Sequence, residues 1–229
     1  MKATRIGVGL LLAAALPLAS WAATVEERVA QYGAAARARM LPSFEAAGVP
    51  YPPQRVVLVG LKVERRLDLY AAGRAGPFRY VRSYPIHAAS GGIGPKLRAG
   101  DEQVPEGLYR VSALNPNSQF HLSLRIDYPN VDDRRRAEAE GRTNLGGDIM
   151  IHGRSASTGC LAMGDPAAED LFVLAAETGI DDVHVVLSPL DFRRGALSEL
   201  HEPARPWVAT LYDEIRSALA ELPHPPRRR

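Results

Sequence analysis

The sequence predicts a mainly β protein, a sandwich or a barrel, with helices flanking it at both ends. Short apolar runs recur along the middle of the 229-residue chain, and glycine, proline, asparagine and aspartate separate them. The stretches that favour helices lie near the two ends. Several short strands with turn signals between them are typical of sandwiches and barrels.

The composition is that of one folded domain with tails. Hydrophobic residues make up 46% and charged residues 24% of the chain, which excludes a disordered or collagen-like protein. The formal net charge is only +2, and three arginines stand together at the C-terminal end. No broad basic surface is therefore expected, and no nucleic-acid partner.

Residues 1–22 have the pattern of a secretory signal. Lys2 and Arg5 precede an uncharged apolar stretch over residues 6–19, which is shorter than the ~20 residues that a membrane-spanning helix needs. Small residues at Ser20 and Ala22 suit a signal peptidase. We expect cleavage after Ala22, a periplasmic or secreted protein, and no membrane span afterwards; the alternative is an uncleaved anchor helix.

The remaining elements are predicted in chain order. Residues 23–54 are expected to form a helix, over residues 24–47, and a proline-rich linker, and residues 55–188 the main domain. Residues 189–229 form a C-terminal helix, over residues 207–222, and a basic tail. The strands are expected near residues 56–59, 66–70, 78–86, 107–114, 121–128, 148–151 and 182–187.

Three features between the strands carry further expectations. A short helix should run from residue 165 to about 177, with Asp165 as its cap and Pro166 at its first position. The charge run over residues 132–136 is expected to be a solvated loop. The stretch over residues 90–147 is long for connecting material, so it predicts binding loops or a lid, or else an insertion without a role.

Cys160 is the single cysteine, so no disulfide can form within the chain. In an exported protein an unpaired thiol indicates a reactive group or an intermolecular bridge. The alternative is a buried cysteine that acts as a small apolar filler.

The residues around Cys160 favour the reactive alternative. His152 ends an apolar strand, and Cys160 follows eight positions later after mostly small and polar residues. Such a loop can fold back so that the thiol faces the imidazole, which can take its proton or pair with the thiolate. Gly159 would let backbone N–H groups approach a substrate carbonyl, as an oxyanion hole requires. One cysteine and one histidine are too few for a structural zinc site, so no metal is expected.

The pair His152-Gly153, followed by Ser157-x-Gly159-Cys160, resembles the signature of the YkuD-type L,D-transpeptidases. The resemblance extends over roughly residues 55–188, and several segments are similar to the YafK-like branch of the family. These segments are Ser90-Gly91, Gly94-Pro95-Lys96, Gly100-Asp101, residues 105–109, residues 114–118, residues 121–123 and Tyr128-Pro129-Asn130.

The resemblance implies a mixed β sandwich with a short helix, in an exported enzyme that acts on peptidoglycan stem peptides without metal or cofactor. Cys160 would be the nucleophile, His152 the general base, and the main-chain carbonyl of Gly153 would orient the imidazole. The acyl acceptor would be an amine, on a wall-anchored protein or a second stem peptide. The residues expected to bind substrate are Ser157, Thr158, Gly159, Arg154 and His121.

Two positions depart from the common family pattern. Thr158 stands where many members have a second histidine, and Ala162 stands where many carry an arginine. Arg154 is the candidate for the missing cation. The departures leave open whether the acyl-enzyme passes to an amine or to water, which would make the protein a hydrolase. A wall-binding module without catalysis is the alternative from another class.

Overall fold

The computed structural model describes residues 22–194 and 205–226. The predicted export signal, apart from Ala22, and the three C-terminal arginines lie outside the described residues. Within the described ranges, no helix combines the length and the apolar character that crossing a membrane would demand.

In the part of the chain that the structure describes, nine strands form one continuous mixed sheet, which confirms the mainly β class. In chain order the strands are β1 (Arg55–Leu61), β2 (Arg66–Ala72), β3 (Arg79–Pro85), β4 (Ala88–Ala89), β5 (Gly107–Ser118), β6 (His121–Ile126), β7 (Met150–His152), β8 (Leu161–Ala162) and β9 (Val183–Ser188). Their order across the sheet is β3-β2-β1-β9-β5-β6-β7-β8-β4. The pairs β1–β9 and β7–β8 are parallel, and the other pairs are antiparallel.

The long strand β5 joins the two parts of the sheet. Its first residues, 107–110, pair with β9, and residues from Val111 onward pair with β6. The two halves of the expected sandwich are therefore connected by backbone hydrogen bonds through one strand.

The continuous apolar run of β1 is explained by burial on both faces. Val56 and Leu58 pack into one apolar cluster, and Val57 and Val59 pack into another on the opposite face. Successive side chains of a strand point to opposite faces, so a strand covered on both sides has no polar positions to alternate with.

The helices are α1 (Val25–Ala47), α2 (Val131–Ala139), α3 (Asp165–Thr178) and α4 (Pro206–Ala220), with a short 3-10 turn at Ile180–Asp182. Helices α1, α3 and α4 cover these faces. Helices α1 and α3 contribute Phe44 and Phe172 to the first cluster. Helix α4 lies on the other face, where Leu211, Ile215 and Leu219 are buried at the helical spacing of one face.

The N-terminal helix agrees with the sequence because both of its ends are capped. Thr24 and Glu27 form a capping box at its start, and Gly48 ends it in the left-handed conformation, at φ +67°. Arg39 Nε on α1 donates to Asp170 Oδ1 on α3 at 2.7 Å, which ties the two helices together.

Two local predictions were wrong. The charge run over residues 132–136 belongs to helix α2. The Asn130 side chain accepts from the amides of Asp132 and Asp133, and the Asp133 carboxylate accepts from Asn130 N. That capping box starts a helix despite the density of charge. Asp165 is the first residue of α3, not its cap, which is Gly164; the Asp165 carboxylate instead accepts from Arg154 N at 2.7 Å.

Candidate active site

Strands β7 and β8 place His152 and Cys160 in one neighbourhood. They run parallel, with Ile151 beside Leu161 and His152 beside Ala162. His152 is the last residue of β7, and Cys160 directly precedes β8. Residues 153–160, named here the nucleophile loop, connect them. Two of its residues have left-handed backbone, Arg154 at φ +58° and Gly159 at φ +80°.

The imidazole of His152 is buried and oriented by the backbone. Its Nδ1 lies 2.7 Å from Gly153 O. A carbonyl oxygen only accepts, so Nδ1 carries the proton and Nε2 is left with its lone pair free for use as a base. Burial lowers the pKa of His152, and the bond to Gly153 partly opposes that shift.

Gly153, whose carbonyl orients His152, is also closely packed around its Cα. A Cβ at this position would lie 2.6 Å from Asp165 Oδ1 and 2.8 Å from Phe120 O. Any larger residue would push the carbonyl that holds His152 away from its place.

Ser157 links the imidazole to the nucleophile. Its Oγ lies 3.4 Å from His152 Nε2 and accepts from Cys160 N at 3.1 Å. A hydroxyl can accept from the amide and still donate its own proton to the ring nitrogen. The backbone of Cys160 is therefore connected to His152 through one side chain.

The thiol of Cys160 is partly buried against β7 and the residues before it. Its Sγ accepts from Met150 N at 3.3 Å and donates to Asp148 O at 3.7 Å. In the described part of the chain, neither hydrogen bond of this sulfur goes to the His152 ring. Burial raises the pKa of the Cys160 thiol, and the Met150 amide and the positive charge of Lys96 oppose that rise. The resting site thus combines a neutral thiol with a neutral imidazole.

The amide of Gly159 is already occupied. Gly159 N donates to Ser90 Oγ at 2.5 Å, and Ser90 Oγ donates to Glu102 O at 2.6 Å. Gly159 was expected to let backbone N–H groups approach a substrate carbonyl. In the structure the N–H groups of Gly159 and Cys160 are both held by serine hydroxyls.

Phe120 is a site residue that the sequence analysis missed. It lies at the turn between β5 and β6, is 41% exposed, and its ring centroid is 4.7 Å from that of His152. The available signal was a large aromatic residue at a hairpin turn, directly before His121.

The other predicted residues lie near the site with different surroundings. Thr158 and Arg154 are exposed on the nucleophile loop. His121 is half-buried, and its Nε2 lies 3.0 Å from Glu169 Oε1 on α3. The structure thus brings His152, Gly153, Ser157, Gly159 and Cys160 together, and it places His121 in a hydrogen-bonding contact with Glu169. Residues 22–194 and 205–226 contain no group of three or more acidic, histidine or cysteine side chains arranged to hold a metal ion.

Comparison with known proteins identifies relatives for the middle of the chain. A family model described as YkuD, L,D-transpeptidase catalytic domain, matches residues 54–185. Proteins named "Putative L,D-transpeptidase YafK", from Escherichia coli strain K12 and from Escherichia coli O157:H7, are each 39% identical over 113 residues. That region is 48% of this chain and 43% of each relative, so the chain spans less than half the length of these curated relatives.

Solved structures are similar to part of the chain. The cell shape determining protein Pgp2 of Campylobacter jejuni has a TM-score of 0.49 at 21% identity, over 59% of this chain and 48% of its own. Bd1075 of Bdellovibrio bacteriovorus has a TM-score of 0.44 at 21% identity, over 62% of this chain and 50% of its own. L,D-transpeptidase 1 of Mycobacterium tuberculosis has a TM-score of 0.34 at 13% identity, over 58% of this chain and 62% of its own.

Proposed function

The chain belongs to the YkuD family of L,D-transpeptidase catalytic domains, and from that premise we propose that it is an exported cysteine acyltransferase acting on peptidoglycan stem peptides. Family membership supports the substrate class, and the YafK proteins carry the same activity in their name. We assign the reaction to residues 55–188 and to the Cys160 thiol.

The observation that carries this proposal is the Ser157 bridge. One hydroxyl lies within reach of the base nitrogen of His152 and of the backbone of Cys160, at 3.4 Å and 3.1 Å. A buried structural cysteine needs no oriented base beside it. An imidazole fixed as the Nδ1–H tautomer, with its Nε2 held through one hydroxyl beside the backbone of Cys160, is a base positioned next to the thiol residue.

The proposed reaction has two steps. In the first, the proton of Cys160 passes to His152 Nε2, and the sulfur attacks the carbonyl carbon of the diamino acid at position three of the stem peptide. The C–N bond to the terminal D-amino acid breaks, and the imidazolium of His152 gives its proton to the departing amine. A thioester on Cys160 remains.

In the second step an acceptor attacks the thioester and the sulfur leaves as the thiol. His152 takes a proton from the attacking amine, and its transfer to sulfur restores the resting site. The negative oxygen that forms in both steps needs N–H donors, and the candidate donors are the amides of Gly159 and Cys160, which Ser90 and Ser157 hold in place in the resting structure. Arg154 and Thr158, exposed on the same loop, are proposed to contact the peptide.

Water can take the place of the amine in that second step. The position two residues after the nucleophile is Ala162, which is fully buried and brings no cation to a substrate carboxylate. The site therefore lacks one means of retaining a second, acidic stem peptide. Hydrolysis of the same acyl-enzyme is accordingly the second candidate, and it differs from the first only in the acceptor.

The decisive experiment is a product analysis by mass spectrometry. The purified protein is incubated with muropeptides from digested sacculi, with and without an added D-amino acid as acceptor, and the Cys160→Ala variant is treated in parallel. We expect loss of the terminal D-amino acid with the native protein only, and either an exchanged peptide or a shortened one. His184→Ala, an exposed histidine on β9, is the matched control and should behave as the native protein.

Trapping the acyl-enzyme separates an enzyme from a binding module. A carbapenem added to the native protein should increase its mass by one inhibitor, and Cys160→Ala should not react. A native protein that binds sacculi, gains no mass and alters no muropeptide would be a binding module, and the proposal would be wrong.

Export is proposed from residues 1–22 together with family membership. N-terminal mass analysis of the protein recovered from a cell fractionation checks it. A mature chain beginning at Ala23 in the periplasmic or secreted fraction is the expected result, and an intact cytoplasmic chain would contradict it.

A further inference from the structure

We propose that Tyr212, on the C-terminal helix α4, is a positioning residue for the nucleophile loop. Helix α4 lies beyond residue 185, where the family match ends. The inference rests on the proposed function and adds to it a residue from outside the matched domain. It acts through Glu106 and the segment over residues 90–106, named here the 90–106 loop.

The buried carboxylate of Glu106 is a junction, a point at which hydrogen bonds from three segments of the chain meet. Its Oε2 accepts from Tyr212 OH at 2.9 Å, and its Oε1 accepts from Lys62 Nζ at 3.0 Å and from Gly94 N at 2.8 Å. The Glu106 side chain is completely buried. One carboxylate thus joins helix α4, the end of β1 and the 90–106 loop.

Lys62 strengthens the same junction. Its ammonium also donates to Gly94 O and to Val104 O, each at 3.1 Å. The two arms of the 90–106 loop are therefore fixed to one buried ion pair. A buried carboxylate is stable only while its oxygens are fully hydrogen-bonded, so the loss of one donor should loosen every group that the junction holds.

The 90–106 loop carries this constraint to the nucleophile. Gln103 accepts from Gly92 N at 3.0 Å and donates to Gly92 O at 2.7 Å, which cross-links the loop internally. Ser90, at its start, accepts from Gly159 N. Gly159 directly precedes Cys160, so hydrogen bonds connect α4 with the backbone beside the reactive sulfur.

The hydroxyl of Tyr212 can be removed without unpacking α4. The helix is seated by apolar contacts of Leu211, Ile215 and Leu219, and the Tyr212 ring lies among them. Tyr212→Phe keeps the ring and deletes the bond to Glu106. Tyr70→Phe is the matched control: Tyr70 is fully buried in the same cluster, and its hydroxyl bonds to Arg193, away from the 90–106 loop.

The experiment measures three quantities for the native protein and for both variants. They are the rate of acylation by a carbapenem, the rate of alkylation of Cys160 by iodoacetamide, and amide hydrogen exchange along the chain. In Tyr212→Phe we expect an acylation rate lower by about fivefold, the size of one lost hydrogen bond. Exchange should rise at residues 91–104 and at Gly159. Tyr70→Phe should change neither, at a similar melting temperature.

Ser90→Ala tests the other end of the connection. It should raise exchange at Gly159 without changing exchange in α4. Equal acylation rates for the two tyrosine variants, or unchanged exchange at Gly159 in both Tyr212→Phe and Ser90→Ala, would overturn the inference.

The alkylation rate separates this inference from the proposed function. Iodoacetamide reports on the only thiol of the chain and needs no peptidoglycan chemistry. If the native protein is never acylated, the proposed function fails. The positioning role then stands if Tyr212→Phe still changes alkylation and exchange relative to Tyr70→Phe, and falls if it does not.

Discussion

The ring of Phe120 lies against the imidazole of His152, with the ring centroids 4.7 Å apart and the planes inclined by 40°. His152 itself is only 2% exposed. The aromatic side chain therefore covers the base from the solvent side and adds to the burial that lowers the pKa of His152.

Phe120→Ala should raise the pKa of His152 toward the ordinary histidine value of about 6.5, because water would reach the ring. A base must be unprotonated to act, so the acid limb of the rate profile should move to higher pH. The measurement is the pH dependence of Cys160 acylation, with Phe120→Tyr as the control that keeps the ring. An acid limb that does not move would mean that Phe120 does not shield the base.

Ser157→Ala should lower the acylation rate of Cys160 by about tenfold, because the bridge between the imidazole and the Cys160 amide would be lost. Ser157→Thr keeps a hydroxyl and should retain most of the rate. Ser155→Ala, an exposed serine of the same loop, is the matched control. Equal rates in Ser157→Ala and Ser155→Ala would remove the bridge from the mechanism.

The resting thiol of Cys160 should not be activated, and its pKa should lie at or above that of an ordinary cysteine. Burial raises the pKa of Cys160 and lowers that of His152, so both groups are neutral near pH 7. We expect the iodoacetamide rate to climb steadily with pH and to level only above the ordinary thiol value of about 8.5. A plateau already present near pH 6 would reveal a thiolate–imidazolium pair and contradict this assignment.

Gly153→Ala should destabilise the fold by about 1–3 kcal/mol, because the added methyl group would overlap Asp165 Oδ1 and Phe120 O. Denaturant unfolding measures the loss. Gly147→Ala is the control, since a Cβ there meets nothing within 4 Å. The two variants should unfold at clearly different denaturant concentrations, and matching midpoints would show that the backbone at Gly153 can give way.

Asp133 should make the protein less stable as pH rises from about 4 to about 6. Burial raises the pKa of Asp133 to about 6, whereas in the unfolded chain it is about 3.9. Between these values the folded state binds the extra proton, so stability is greatest at the acid end of the window and is lost toward pH 6.

The measurement for Asp133 is the free energy of unfolding across that window. Asp133→Asn should show a smaller decline than the native protein, and Asp132→Asn, on the same turn of α2, should decline as the native protein does. Identical slopes for the two variants would rule out Asp133 as the source.

The sequence predicted what depends on neighbours along the chain. Strands β1 and β2 follow from their apolar runs and the turn between them, and α1 follows from its composition, rich in alanine, arginine and glutamate, and from the glycine and prolines after it. The closeness of His152 and Cys160 follows from a short loop of mostly small and polar residues between two strands.

Contacts between distant segments could not be predicted in this way. Phe120 reaches His152 across the β5–β6 turn, Ser90 reaches Gly159 from 69 positions away, and Tyr212 reaches Glu106 from 106 positions away. Sequence patterns extend over a few neighbouring residues, so they cannot predict contacts between residues this far apart in the chain. Helix α2 was missed for a different reason: Asn130 caps it, and the charges that follow conceal that signal.

The connection between the parallel strands β7 and β8 is unusually short. Parallel neighbours are ordinarily joined by a crossover of about a dozen residues or more, and here residues 153–160 suffice. The short loop therefore limits the distance by which the base, His152, and the nucleophile, Cys160, can separate. Deleting a single loop residue would shift the register of the two strands, and adding several would let His152 and Cys160 move apart. The length of this loop therefore affects the reactivity of the thiol.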